Sequence, residues 1–165
     1  MGSKIKSLVS LIFSISSLVS CSYLSPAGFW NSFKKELILQ EQSNQGPWGG
    51  TREIYWKSNT NNPFQENEIL EFASKHKWKL VDSLTITEDL PKEKLFAELK
   101  IHEYSMEVLV QKVLAKEKVQ NAKIYIFKTS QMLVNLNDGD NTFENGFILL
   151  NSTKTELKLV HLWGE

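Results

Sequence analysis

The chain has very little cysteine, because Cys21 is the only one among its 165 residues. A single thiol excludes an intrachain disulfide and a zinc site built from several cysteines. The fold must therefore be stabilised by its apolar core. With 41% hydrophobic and 11% aromatic residues, the chain has enough apolar side chains to build one.

The sequence also lacks an excess of charge of either sign, since 19 basic residues balance 19 acidic ones. Proteins that bind nucleic acid carry a basic excess or a basic stripe to neutralise phosphates. We therefore expect no nucleic-acid partner.

No hydrophobic run in the sequence is long enough to be a comfortable transmembrane helix. The most apolar stretch covers residues 8–19, is diluted by serines, and follows Lys4 and Lys6. A spanning helix needs ~20 predominantly apolar residues. A short apolar stretch after a basic amino end is instead typical of a secretory signal peptide.

The stretch ends in Leu18-Val19-Ser20-Cys21, which resembles the lipobox of bacterial lipoproteins. It has an aliphatic residue three positions before the cysteine, a small residue directly before it, and no acidic residue upstream. The resemblance implies cleavage before Cys21, diacylation of its thiol, and acylation of the new amino terminus. An ordinary secretory signal and an uncleaved anchor are the alternatives.

This resemblance predicts the organisation of the whole chain. We expect a cleaved signal peptide over residues 1–20, a short tether over residues 21–28, and a single α+β domain over residues 29–165. The protein is then held on a bacterial envelope membrane through the lipids on Cys21, on the outer membrane if the organism is Gram-negative.

Hydrophobic periodicity predicts helices and strands along this domain. Apolar residues recur at helical spacing in residues 29–42, 68–75, 92–99 and 106–116. Residues 51–57 and 78–86 have strand character instead. In the last third, four short β-rich runs follow one another, over residues 123–128, 132–136, 147–151 and 157–163.

Consecutive strands with short connections usually pair with each other. The last third therefore predicts a four-stranded antiparallel meander, with three or four helices packed on one face. Residues 157–163 carry apolar side chains at both odd and even positions, so this strand is expected to be central or covered on both sides.

A glycine-rich turn, residues 46–50, precedes the first predicted strand. It lacks the Lys-Ser/Thr pair of a phosphate-binding loop, so we interpret it as a structural turn. If Trp48 in this turn is exposed beside Arg52 and Tyr55, these three residues form a candidate ligand-contact patch.

The histidines give little support for catalysis. His102-Glu103 begins like the zinc-protease helix motif, but Met106 stands where the second histidine is needed. His161 is expected to be a surface or satisfied core histidine, with a catalytic base as the alternative. The acidic loop over residues 137–146 is interpreted as a hairpin turn, with an atypical calcium site at Asp138, Asp140 and Glu144 as the alternative.

These observations predict a membrane-anchored envelope lipoprotein whose domain binds an envelope protein or a small ligand. We expect no catalytic residue, no metal and no cofactor. The alternative is a small envelope hydrolase that uses His161 or His102.

Overall fold

The computed structural model describes residues 26–46, 49–87, 92–99, 104–117, 121–129 and 144–164. Within these ranges a single antiparallel sheet has the strand order β1-β2-β6-β5-β4-β3. Its strands are β1 Ile38–Gln45, β2 Gly49–Lys57, β3 Lys79–Ile86, β4 Ala122–Lys128, β5 Glu144–Asn151 and β6 Glu156–Gly164.

Helical segments connect the strands and cover the sheet. They are the short 3-10 helices Gly28–Ser32 and Lys35–Leu37 and the α-helices α1 Glu66–Lys75, α2 Lys92–Glu98 and α3 Tyr104–Glu117. The class is mainly β. The prediction of an α+β fold built on a four-stranded meander is wrong, because β1, β2 and β3 belong to the same sheet as the carboxy-terminal strands.

The largest local error is the helix predicted over residues 29–42. Its first half forms the two 3-10 helices, and Lys34 between them has a left-handed backbone with φ of 41°. An α-helix cannot pass through a left-handed residue. Residues Ile38–Gln45 then form the edge strand β1, which is exposed along nearly its whole length.

The core divides into two clusters on opposite faces of the sheet, as expected for strands whose successive side chains alternate in direction. The first cluster includes Ile54, Trp56, Leu157 and Leu159, and it is covered by the amino-terminal segment and α1. The second cluster contains Ile124, Ile126, Phe147, Leu149 and Val160, and it is covered by α2 and α3. The prediction that the helices pack on one face is therefore wrong.

The carboxy-terminal strands agree better with the sequence. β4, β5 and β6 pair consecutively and antiparallel, and β6 lies inside the sheet between β5 and β2. Leu157 packs on one face of β6 and Val160 on the other, so the prediction that both faces are covered is confirmed. The strand predicted over residues 132–136 lies outside the described residues, and the prediction that it separates β4 from β5 is wrong, because those two strands pair directly.

No helix within the described ranges is both long enough and apolar enough to cross a membrane.

Candidate functional site

A buried polar cluster lies near one end of the sheet, between its inner strands. His161 on β6 is directly opposite Arg52 on β2 and directly opposite Gly146 on β5. The exposed fraction is 5% for Arg52 and 0% for His161. Thr129 and Asn145 are also buried and complete the cluster.

Hydrogen bonds connect these side chains in a row. The hydroxyl of Thr129 donates to Asn145 Oδ1 over 2.6 Å, and Asn145 Nδ2 donates to the carbonyl oxygen of Leu162 over 2.9 Å. His161 Nε2 lies 3.3 Å from Thr129 Oγ1. The Thr129 hydroxyl has one proton, which it donates to Asn145. Its oxygen can therefore only accept a hydrogen bond from His161, which requires that His161 Nε2 carries a proton.

Aromatic rings enclose the imidazole of His161. The Trp78 ring lies 5.1 Å from it and the Trp163 ring stacks at 5.6 Å, measured between centroids. Trp78 also fills the space above Gly146, where a Cβ atom would lie 2.7 Å from the indole Cζ3. Glycine at position 146 is therefore what allows Trp78 to approach the sheet and cover His161.

The electrostatics of the cluster follow from this burial. Loss of hydration, helped by the positive charge of Arg52, lowers the pKa of His161 to about 3. Burial also lowers the pKa of Arg52, while Glu41 opposes this effect with a carboxylate oxygen 3.6 Å from Nη1. His161 is consequently a neutral imidazole at physiological pH.

A neutral histidine beside a hydroxyl resembles part of a nucleophile and base pair, but the geometry does not suit that chemistry. A general base must accept the proton of its nucleophile, whereas the Thr129 proton points to Asn145. Among the described residues, His161 Nδ1 has no hydrogen-bond partner, so no carboxylate orients the ring. Both side chains are also buried, away from any substrate.

The candidate contact patch is not assembled in the form that the sequence predicted. Arg52 and Tyr55 are three positions apart on β2, which places their side chains on opposite faces of the sheet, and Arg52 is buried. Trp48 lies outside the described residues, as do Cys21, His102 and residues 137–143 of the acidic loop.

A second polar cluster joins α1 to the sheet and to the β5–β6 turn. Glu66 accepts hydrogen bonds from Tyr125 Oη at 2.6 Å and from Lys123 Nζ at 2.9 Å, and it pairs with Lys154 Nζ at 2.8 Å. These three donors lower the pKa of Glu66 to about 2. Its role is structural, because all the donors come from neighbouring elements of the fold.

Metal ligands are likewise not gathered in the described part of the chain. Nowhere in it do three or more histidine, cysteine, aspartate or glutamate residues converge in a way that suits a metal ion.

The feature that sequence reasoning missed is the free edge formed by β1. Of the described strands, only β2 pairs with β1. The signal that would have indicated this edge is the glycine-rich turn before β2, because a turn of that kind commonly joins two antiparallel strands.

Comparison with known proteins adds no constraint, since no family model, no curated protein and no solved structure matches the chain.

Proposed function

We propose that the chain is a lipid-anchored bacterial envelope protein whose domain binds an extended segment of another envelope protein along β1. The domain performs no catalysis in this proposal. The exposed edge of β1 is the observation that carries it, because an unpaired strand edge is a template for adding one further strand.

The composition of β1 suits such a contact. The strand runs for eight residues and its only ionisable side chain is that of Glu41. Lysines, prolines and bulges usually block unwanted pairing at sheet edges. The irregularity in β1 lies at Leu39, between Ile38 and Gln40, which leaves residues 40–45 regularly paired with β2.

The opposite edge, β3, carries more charge. Lys79 and Asp82 are its ionisable residues, and charged side chains at an edge oppose the addition of a further strand. Each edge strand has one register shift, at Leu39 in β1 and between Leu80 and Asp82 in β3, so the shift does not distinguish the two edges. We therefore assign the partner to β1 and use β3 as the control edge.

Leu39 gives the β1 edge an apolar contact point. Its side chain is 65% exposed, the largest fraction among the exposed large hydrophobic residues described, compared with 46% for Leu80 on β3. In strand addition, backbone hydrogen bonds supply affinity and alternate side chains supply specificity. Leu39 is the side chain that a partner would cover.

The hydrolase alternative has less support. His161 is buried and its neighbouring hydroxyl donates elsewhere, so it lacks the access and the geometry of a base. His102 lies outside the described residues, and the sequence next to it supplies neither a second metal ligand nor a nucleophile.

The edge is tested with a photoreactive amino acid placed at position 39 or position 80 of the full-length protein in its own membranes. We expect one discrete cross-linked partner from position 39 and none from position 80. Leu39→Asp should weaken co-purification of that partner at least tenfold, while Leu80→Asp should not. Equal cross-linking from both positions would argue against β1 as the specific binding edge. A second copy of this chain in the cross-linked product would show that β1 mediates self-association and not binding of another protein.

The anchor is tested separately by mass spectrometry of the mature protein. We expect an amino terminus at Cys21 that carries acyl groups, and a Cys21→Ala protein that remains as an uncleaved, unacylated precursor. An amino terminus elsewhere, or an unmodified Cys21, would disprove the lipoprotein assignment without affecting the β1 edge.

A further inference from the structure

Asn145 and Gly146 form the one Asn-Gly dipeptide of the sequence. In such a pair, the peptide nitrogen of the glycine can attack the side-chain carbonyl carbon of the asparagine and close a five-membered succinimide ring. Glycine favours this attack because it has no Cβ to restrict the backbone rotation that ring closure requires. The pair is therefore chemically reactive wherever the fold does not prevent ring closure.

Packing of the inner strands accounts for the presence of both residues. Gly146 leaves the space that Trp78 fills, since a Cβ atom there would lie 2.7 Å from the indole Cζ3. Asn145 Oδ1 accepts from the Thr129 hydroxyl over 2.6 Å, and its Nδ2 donates to the carbonyl oxygen of Leu162 over 2.9 Å. A short amide supplies this acceptor and this donor on one planar group. The reactive dipeptide is thus a consequence of how β4, β5 and β6 pack.

The same contacts hold the pair in a conformation that prevents ring closure. Asn145 is fully buried, and its Oδ1 also accepts from the backbone N–H of Thr129 over 3.3 Å. Gly146 lies inside the sheet, directly opposite Phe127 on β4 and His161 on β6. To bring the glycine nitrogen onto Asn145 Cγ, the extended backbone of β5 must rotate and the hydrogen bonds of the amide must break. The reaction therefore requires the sheet to open.

The products of this reaction do not fit the folded sheet. An aspartate at position 145 has no N–H group for the carbonyl oxygen of Leu162, which is left without that donor, and it places a carboxylate in a buried site. Isoaspartate adds a methylene group to the main chain of β5. Since β5 is paired with β4 on one side and β6 on the other, the extra atom disturbs the register with both neighbours.

We propose that Asn145-Gly146 is a latent modification site that makes prolonged unfolding of this domain irreversible. In the unfolded chain the Gly146 nitrogen bonds to Asn145 Cγ, the Cγ–Nδ2 bond breaks, and ammonia leaves with the proton of the peptide nitrogen. Solvent water then hydrolyses the succinimide at one of its two carbonyl carbons. The folded domain is protected, whereas a modified chain does not return to the native sheet. The inference depends on neither the lipid anchor nor the β1 edge.

The first measurement compares modification in the folded and the unfolded protein. Full-length protein in detergent is kept at pH 8 and 37 °C, with or without enough guanidinium chloride to unfold it, and peptide mass spectrometry follows each asparagine. We expect Asn145 to deamidate at least tenfold faster in the unfolded protein. Asn151, in the same strand but followed by Ser152, is the internal control and should react more slowly than Asn145 in the unfolded chain.

The second measurement is the fraction of protein that refolds after dilution of the denaturant, read from circular dichroism and tryptophan fluorescence. At pH 8 we expect this fraction to fall with time in step with the modification of Asn145. Unfolded protein kept at pH 5 is the matched control, because base promotes the attack of the peptide nitrogen. It should stay unmodified and refold fully after the same time.

A variant without the reactive amide gives a third measurement. Asn145→Ser keeps a short side chain that can both donate and accept a hydrogen bond. Where this variant folds, its refolding yield at pH 8 should not decline with time. Asn59→Ser, in an exposed loop, is the control and should decline like the wild type. The comparison of the wild type at pH 8 and pH 5 decides the question if Asn145→Ser does not fold.

Three results would overturn the proposal. Equal rates at Asn145 in the folded and the unfolded protein would show that the fold gives no protection. Modified protein that refolds as well as unmodified protein would show that the products fit the sheet. A refolding yield that declines equally at pH 8 and pH 5, or without modification of Asn145, would assign the loss to another process such as aggregation.

Discussion

Arg52 and His161 lie directly opposite each other on β2 and β6, and both side chains are buried. A permanent positive charge beside an imidazole opposes protonation of the ring, and burial opposes it still more. The pair therefore requires His161 to stay neutral, and the folded domain is expected to be sensitive to acid.

The first prediction is the pH dependence that follows from this pair. The pKa of His161 is about 3 in the folded state, against a usual value of 6.5. As the pH falls, His161 is protonated in the unfolded chain before it is protonated in the folded one. The free energy of unfolding is therefore highest above pH 6.5 and decreases as the pH falls toward 3. The full loss is up to about 5 kcal/mol, of which about 3 kcal/mol occurs by pH 4. Urea unfolding between pH 7 and pH 4 measures this part.

The matched variants for this experiment are His161→Gln and His76→Gln. His161→Gln loses ring contacts with Trp78 and Trp163, so it should be less stable at pH 7 but depend less on pH. His76→Gln removes a partly buried imidazole whose Nδ1 lies 2.8 Å from the carbonyl oxygen of Phe72, and it leaves the Arg52–His161 pair unchanged. An unchanged slope in His161→Gln would show that other groups cause the acid sensitivity.

The second prediction concerns the carboxylate of Glu66. Glu66→Gln removes the charge that Lys123, Tyr125 and Lys154 share. We expect a loss of about 1–2 kcal/mol in the free energy of unfolding, because hydrogen bonds to a charged group are stronger than neutral ones. Since the pKa of Glu66 is lowered to about 2, this stabilisation is present above its usual pKa and disappears between about pH 4.5 and pH 2.

Glu68→Gln is the control for this variant. Glu68 is more exposed and pairs only with Lys34 among the described residues, and exposed ion pairs contribute ~0–1 kcal/mol. Chemical denaturation at pH 7 compares the two. Equal losses would show that the Glu66 cluster is no stronger than an ordinary surface ion pair.

The third prediction concerns Gly146. Gly146→Ala would place a methyl group 2.7 Å from Trp78 Cζ3. We expect a destabilisation of about 2–3 kcal/mol, because the indole that covers His161 must move. Gly46→Ala is the control, since among the described residues its Cβ would meet only the carbonyl oxygen of Gly49, at 3.3 Å. Thermal unfolding and tryptophan fluorescence report the change, and similar losses in both variants would contradict the packing argument.

The fourth prediction compares two fully buried tryptophans. Trp56 Nε1 donates to the carbonyl oxygen of Phe33 over 2.8 Å, whereas Trp30 Nε1 has no hydrogen-bond partner among the described residues. Trp56→Phe should therefore cost about 1–2 kcal/mol more than Trp30→Phe, because it leaves a buried carbonyl unsatisfied. The free energies of unfolding from urea titrations test the difference. Equal destabilisation by the two substitutions would show that this hydrogen bond does not contribute to stability.

Local pattern alone predicted much of the sheet. The alternation of apolar and polar residues indicated β2, and the carboxy-terminal strands β4, β5 and β6 were predicted within a few residues of their observed bounds. Their pairing order was predicted only in part, because the meander placed a strand over residues 132–136 between β4 and β5, whereas these two strands pair directly. Pattern also predicted that β6 has two covered faces, because an apolar residue such as Val160 alternates with Leu159 along it.

The tertiary structure decided the features that depend on distant contacts. Phe29, Trp30, Phe33 and Leu37 have helical spacing in sequence, yet they pack on the sheet from two 3-10 helices, and the next eight residues become an edge strand paired with β2. Propensity is weak compared with such packing and pairing. The fold class therefore could not be predicted from periodicity in this segment.

The candidate sites show the same division. The sequence by itself predicts the lipobox at Leu18-Val19-Ser20-Cys21, because that pattern is local and needs no fold. It could not bring Arg52 beside His161, or Thr129 beside Asn145, since the residues of these pairs meet only through strand register. A register shift of one residue would turn every side chain of a strand to the other face, so only the assembled sheet decides which polar side chains meet.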